Sequence, residues 1–198
     1  RGDRDITAWG AVPYIFGVPF FYFPWYWKDL DTHYGFRFEP GYHSSWGPFL
    51  LSSYKLPLYR DKSIGAYFDA KTSVDYRVDR GFAYGERLGW GVGEGFKGYF
   101  SAYYADDEEL PLGVADPERY RLRLNHGWAL TNRDQILLNA LYVSDDQFME
   151  NFFRDEYREM NVPDNYIDYT HLGDNYSAGI LGRFRLNEFY TQVERLPE

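Results

Sequence analysis

The stretch Tyr120 to Leu130, YRLRLNHGWAL, decides how this chain folds. Tyr120, Leu122, Leu124, Trp128 and Leu130 fall on one side of a period of two, with Arg121, Arg123, Asn125 and Gly127 on the other. A strand sends alternate side chains to opposite faces, so the segment predicts a β-strand with one apolar and one polar face. Which face is wet sets the class. A soluble sandwich turns the apolar face inward, whereas a transmembrane barrel shows it to lipid and lines a polar lumen with the other.

Outward from there the pattern repeats. Strands are expected over Gly35 to Tyr42, Phe49 to Leu56 with a break at Pro57, Ile64 to Val78, Phe82 to Val92 and Phe96 to Tyr104. Ile136 to Val143, Tyr176 to Leu186 and Phe189 to Leu196 follow, about ten strands in all by one strand per turn signal. Many exceed the usual five or six residues and match the roughly 9–11 that a tilted strand needs to cross a bilayer. Gly85, Gly89 and Gly91 on the polar face suit a lumen better than a solvated surface. The expected fold is all-β: about ten antiparallel strands of a larger transmembrane β-barrel, with one short helix in a long loop.

Composition agrees. Aromatics make up 21% of 198 residues, yet the mean hydropathy is -0.57, a mixture that alternating strands produce. A net charge of -9 without a basic stripe argues against nucleic acid. The absence of cysteine removes disulfides, thiolate metal sites and thiol nucleophiles. Arg1-Gly2-Asp3-Arg4-Asp5 is charged from the start, so a signal peptide is expected to lie outside this sequence, which starts after cleavage or inside a longer chain.

Two connections are long. Ala105 to Glu118 carries Asp106-Asp107-Glu108-Glu109 and reads as a solvated acidic loop. Ser144 to Gly173 opens on Ser144-Asp145-Asp146, an N-cap signature, with Phe148, Phe152, Phe153 and Tyr157 at helical spacing. Gly93-Glu94-Gly95-Phe96-Lys97-Gly98 matches a nucleotide-binding fingerprint, but a strand follows it rather than a helix, and a tight hairpin is the expectation. His33, His43, His126 and His171 lack metal-ligand spacing, nothing fixes a carboxylate pair, and no nucleophile elbow is present. No enzyme and no cofactor is expected.

Near the start, GVPFFYFPWYWKDL (Gly17 to Leu30) crowds Phe20 to Phe23 and Trp25 to Trp27 beside Pro19 and Pro24. Such density suits a membrane-interface girdle, an aromatic core or a sugar platform. Taken in order, GVPFFYFPWYW, YGFRFEPGYHSSWG, LYVSDDQFMENFFRDEY and the closing ERLPE resemble the first half of the barrel of the LptD (OstA) family, the lipopolysaccharide-assembly proteins of the Gram-negative outer membrane.

The resemblance implies the end of a periplasmic β-jellyroll or linker over 1–16 and the N-terminal part of an outer-membrane barrel over 17–198. It implies lipopolysaccharide transport to the outer leaflet, with an LptE-like plug lipoprotein, an LptA-like periplasmic bridge and membrane lipid as partners. Phe20, Pro24, Phe36 and Pro40 would belong to a lateral gate, where a proline weakens strand pairing. The family's first-strand proline is missing at Lys28 or Asp29, so weakening rests on Pro40 or shifts to Pro24. The polar-face cations Lys71, Arg87, Arg121, Arg123, Arg183 and Arg185 would line the lumen and meet lipopolysaccharide phosphates or neutralise lumen carboxylates. With Gly17 to Leu30 as the ascending first strand, both long connections come out periplasmic, against the habit of such barrels. A soluble aromatic-rich carbohydrate-binding module and a passive porin-like barrel are the alternatives.

Overall fold

A computed structural model of the chain describes residues 5–12, 14–15, 18–19, 23–29, 34–159 and 164–189. Strand β1 (Asp5–Ala11) is followed by the short β2 (Tyr14–Ile15) and β3 (Val18–Pro19), which pair with each other, and by β4 (Phe23–Asp29), which pairs antiparallel with β1. Nine strands then form one antiparallel sheet in chain order. They are β5 (Gly35–His43), β6 (Gly47–Asp61), β7 (Ala66–Arg77), β8 (Gly81–Val92), β9 (Phe96–Asp106), β10 (Glu118–Ala129), β11 (Asp134–Val143), β12 (Tyr166–Leu172) and β13 (Ser177–Arg183). The sheet is all-β barrel wall in character and is not closed: β5 and β13 each pair on one side only among the described residues.

Several expectations change. The aromatic stretch supplies β4, whose partner is β1 and not the nine-stranded sheet, so this pairing joins residues on both sides of a boundary at 16/17. Pro57 does not end its strand, because a register shift between Pro57 and Tyr59 absorbs the missing donor and β6 runs on to Asp61. The connection after β11 contains β12, YIDYTHL, whose alternation is short enough to be read as loop. Its helical part is two pieces, α1 (Phe148–Phe152) and α2 (Arg154–Glu159), divided at Phe153. Gln147 and not a Ser or Asp precedes α1, and it makes no side-chain cap. Phe189 follows β13 outside any strand, and the rest of the expected last strand lies outside the described residues.

Register aligns the side chains into transverse rows. On one face Tyr84, Tyr104 and Tyr120 stand opposite one another in turn. Near the other end of the strands Val92, Phe96, Trp128 and Ile136 do the same, beside the pair Phe68 and Trp90. Between these aromatic bands runs Leu56, Ala70, Leu88, Phe100, Leu124 and Ala140. From Tyr120 to Trp128 the chain covers about 27 Å at roughly 3.4 Å per residue. This apolar face is exposed: Phe82 is 63% and Tyr84 51% accessible. Glu86 interrupts it, accepting from Thr72 Oγ1 at 2.7 Å and Tyr84 OH at 3.3 Å.

The opposite face carries the charges and is covered in part, by α1 near one end of the strands, while Arg87 and Lys97 on it are exposed. Asp69, Asp75, Arg77, Arg119 and Arg121 are buried there. Phe148, Met149 and Phe152 of α1 fold down onto Ala83, Tyr103, Ala105, Leu141 and Val143 and make a small apolar core on the polar side of the sheet. Gly85 makes room for this arrangement, since a Cβ there would lie 2.7 Å from the Tyr103 ring.

Candidate functional site

One row of the polar face is almost entirely cationic. Lys55 stands opposite Lys71, Lys71 opposite Arg87, and Arg87 and Arg123 both stand opposite Ser101, one on each side. Like charges directly opposite in a ladder repel, so local stability does not account for the row. Arg121 lies one rung along the same face, beside Arg123. The Arg87 guanidinium sits 3.8 Å over the Tyr99 ring, with that of Arg123 at 5.8 Å.

A cavity of about 300 Å³ collects Arg37, Lys71, Arg87, Arg121 and Arg123, and a second of about 460 Å³ extends it past Lys55, Lys97 and Asn125. Carboxylates neutralise part of this charge: Asp69 is 3.5 Å from Lys55, and Glu156 of α2 reaches Arg121 at 2.9 Å and Arg123 at 2.7 Å. Among the described residues Lys71, Arg87 and Lys97 have no ion pair, the pairs on this face going to other cations.

Beyond the cavity, at the end where the long connections leave, a latch ties the loops to the sheet. Arg119, completely buried, donates from Nε and Nη2 to the two Asp145 oxygens at 2.9 and 2.7 Å and from Nη1 to Asp107 at 2.5 Å and Asn151 at 2.9 Å. Arg80 donates to Asp107 at 2.8 Å, to the Glu109 carbonyl at 2.8 Å and to the Ser45 carbonyl at 3.2 Å. Trp46 Nε1 donates to the Asn151 carbonyl at 2.6 Å. Asp107 is thus no solvated loop residue, since it is 1% exposed and shared by two guanidiniums. Burial pushes the Asp145 carboxyl up, but hydrogen bonds from Arg119 and Ser144, with the guanidinium charge, more than offset this and hold it below its usual value.

Of the six cations expected on the polar face, four, Lys71, Arg87, Arg121 and Arg123, meet in one cavity. Arg183 ends β13 and pairs with Asp164 at 3.2 Å, and Arg185 lies past that strand. Of the gate residues, Pro40 lies opposite Leu50 on the edge strand β5, and Phe36 packs on Tyr54 with ring centroids 4.5 Å apart. Pro24 is in β4, and Phe20 lies outside the described residues. Sequence reasoning missed Arg80, Asp107, Arg119 and Glu156. Arg119 continues the alternation of Arg121 and Arg123, which was the available signal.

Among the described residues no group of three His, Asp or Glu side chains is placed to hold a metal ion, and no helix is long and apolar enough to cross a membrane, which says nothing of strands. No protein-family model matches the chain, and comparison with curated proteins finds no match.

Proposed function

We propose that this chain forms part of the wall of an outer-membrane β-barrel of the LptD type, which carries lipopolysaccharide to the outer leaflet. One observation carries the reading: the apolar face is exposed, with a belt of Leu, Ala and Phe side chains between two aromatic bands, while the charges lie on the opposite, partly covered face. The roughly 27 Å between the bands falls to about 21 Å at a strand tilt near 40°, close to the apolar band of about 25 Å on such barrels. Strands β6 to β11 contain 10 to 15 residues, enough to span it.

The pairing of β4 with β1 also bears on orientation. With β5 as the first strand of the sheet and rising from the periplasm, the connections after β9 and β11 open to the outside, where barrels of this class keep their long loops. The free edge of β5 then carries the gate, with Pro40 withholding a donor and Phe36 and Phe38 stacked on the lipid side at 5.9 Å to receive acyl chains. The cationic row faces the lumen, along the path of the phosphorylated saccharide. An LptE-like lipoprotein and an LptA-like bridge are the partners this reading brings.

Photocrosslinkers at Phe36 and Pro40 in the assembled membrane protein test it. Lipopolysaccharide adducts at both are expected, and their absence in an actively transporting assembly, or aqueous partition of the folded protein without detergent, overturns the reading. A passive porin would give the membrane partition without the adducts.

A further inference from the structure

We propose that Arg121 and Arg123 form a binding site for a phosphate group carried on a saccharide, and that Glu156 is its resting internal occupant. The inference deepens the transport reading and rests on it only for the lipid-linked source of that saccharide.

The geometry is that of an anion site already holding an anion. A single oxygen, Oε2 of Glu156, accepts from Nη1 of Arg121 at 2.9 Å and from Nη1 of Arg123 at 2.7 Å. Each guanidinium offers five donors in a planar fork, and one carboxylate oxygen uses few of them. The Nε atoms of both arginines are buried without a hydrogen-bond partner, although the Arg121 side chain is only 8% exposed. A buried donor without a partner is destabilising, so the pocket is incomplete with Glu156 alone in it. A phosphate monoester brings three acceptor oxygens and a charge near −1.5 to −2, and it suits paired guanidiniums better than one carboxylate does.

Room for the rest of the ligand adjoins this point. The cavity of about 300 Å³ beside the two arginines is at the small end of ligand pockets. Lys71 and Arg87 line it without ion pairs among the described residues, and the Tyr99 ring supplies an apolar plane. The internal occupant is lightly held. Helix α2 has no fully buried residue, only Tyr157 packing part-buried against the core under α1, and the Glu156 side chain is 41% exposed. The ring of Phe153, the residue just before α2, has its centroid 3.4 Å from the Arg121 guanidinium carbon and anchors the start of the helix. A phosphate can therefore displace the carboxylate by turning the part-exposed Glu156 side chain out to solvent while α1 stays packed.

The test is calorimetric titration of the assembled membrane protein in detergent, at fixed ionic strength, with glucose 6-phosphate, glucose and inorganic phosphate. Glucose 6-phosphate is expected to bind, with the other two at least tenfold weaker. Glu156→Gln should tighten glucose 6-phosphate binding about tenfold and Arg123→Gln should weaken it by a similar factor. Unchanged affinity in Arg123→Gln, or in a Glu156→Gln variant that thermal unfolding shows to be folded, overturns the proposal, as does glucose or inorganic phosphate binding as tightly as the sugar phosphate. Sugar-phosphate binding without lipopolysaccharide adducts at Phe36 overturns the transport reading and leaves the site standing. Adducts at Phe36 with no effect of Glu156→Gln overturn the site alone.

Discussion

Lys71 and Arg87 stand directly opposite each other on neighbouring strands, two cations on one rung of the sheet with no carboxylate paired to either among the described residues. Repulsion across such a rung costs about 0.2–1 kcal/mol. Arg87→Gln is therefore expected to raise stability by roughly that amount in urea unfolding from detergent while lowering cation-site affinity for phosphate. A loss of stability would mean that the stacking of Arg87 on the Tyr99 ring, 3.8 Å from its centroid, outweighs the repulsion across the rung.

Removing the centre of the latch should act in the opposite direction. Arg119→Met leaves Asp107 to Arg80 alone and strips Asp145 of its bidentate partner. Breaking a buried ion pair from one side costs about 3–5 kcal/mol. Limited proteolysis should cut first in the connections after β9 and β11, before the strands themselves open.

The same latch gives a pH dependence. Asp145 has a folded-state value below its ordinary one, although burial alone would raise it. Its contribution is fully present above the unfolded carboxylate value of about 4 and is lost as pH falls through the lower folded value. Proteolytic release of the 144–159 segment should therefore rise below about pH 4. Asp145→Asn should flatten this profile, and an unaltered profile would remove Asp145 as its source.

Two glycines on one face should respond differently to the same change. At Gly85 a Cβ would meet Tyr103 Cδ2 at 2.7 Å, whereas at Gly89 it would meet nothing within 4 Å. Gly85→Ala must push aside a ring whose hydroxyl donates to Asp75 at 2.6 Å and accepts from Arg77 at 3.0 Å, at a cost of about 1–3 kcal/mol. Gly89→Ala is expected to be neutral or to stabilise by about 0.4–1 kcal/mol through the unfolded chain. Thermal unfolding of the two variants side by side checks the difference.

Alternation along Tyr120 to Leu130 was enough to place Arg121 and Arg123 on one face and to group them with Lys71 and Arg87, because strand periodicity is local. Register is not local. That Lys55, Lys71 and Arg87 share one row depends on turn lengths and on the bulge after Pro57, which a one-residue change would undo. Glu156 was invisible as a site residue because its partners lie 33 and 35 residues away across a folded-back connection. Asp107 looked like one of four solvated acids, and only the approach of Arg80 and Arg119 separates it from its neighbours. The partner of the aromatic stretch, β1, carried too little alternation in DITAWGA to announce itself.

Which face of the sheet meets lipid is tested most sharply on β9. Phe100 lies in the apolar belt between the two aromatic bands and the adjacent Ser101 in the cationic row. The chain has no cysteine, so Phe100→Cys and Ser101→Cys each take a single nitroxide label. With the protein in bilayers, spin-label accessibility should favour oxygen over a water-soluble nickel complex at position 100 and the nickel complex over oxygen at position 101. The reverse order, or equal exposure to the nickel complex at both positions, would contradict the inside-out sheet.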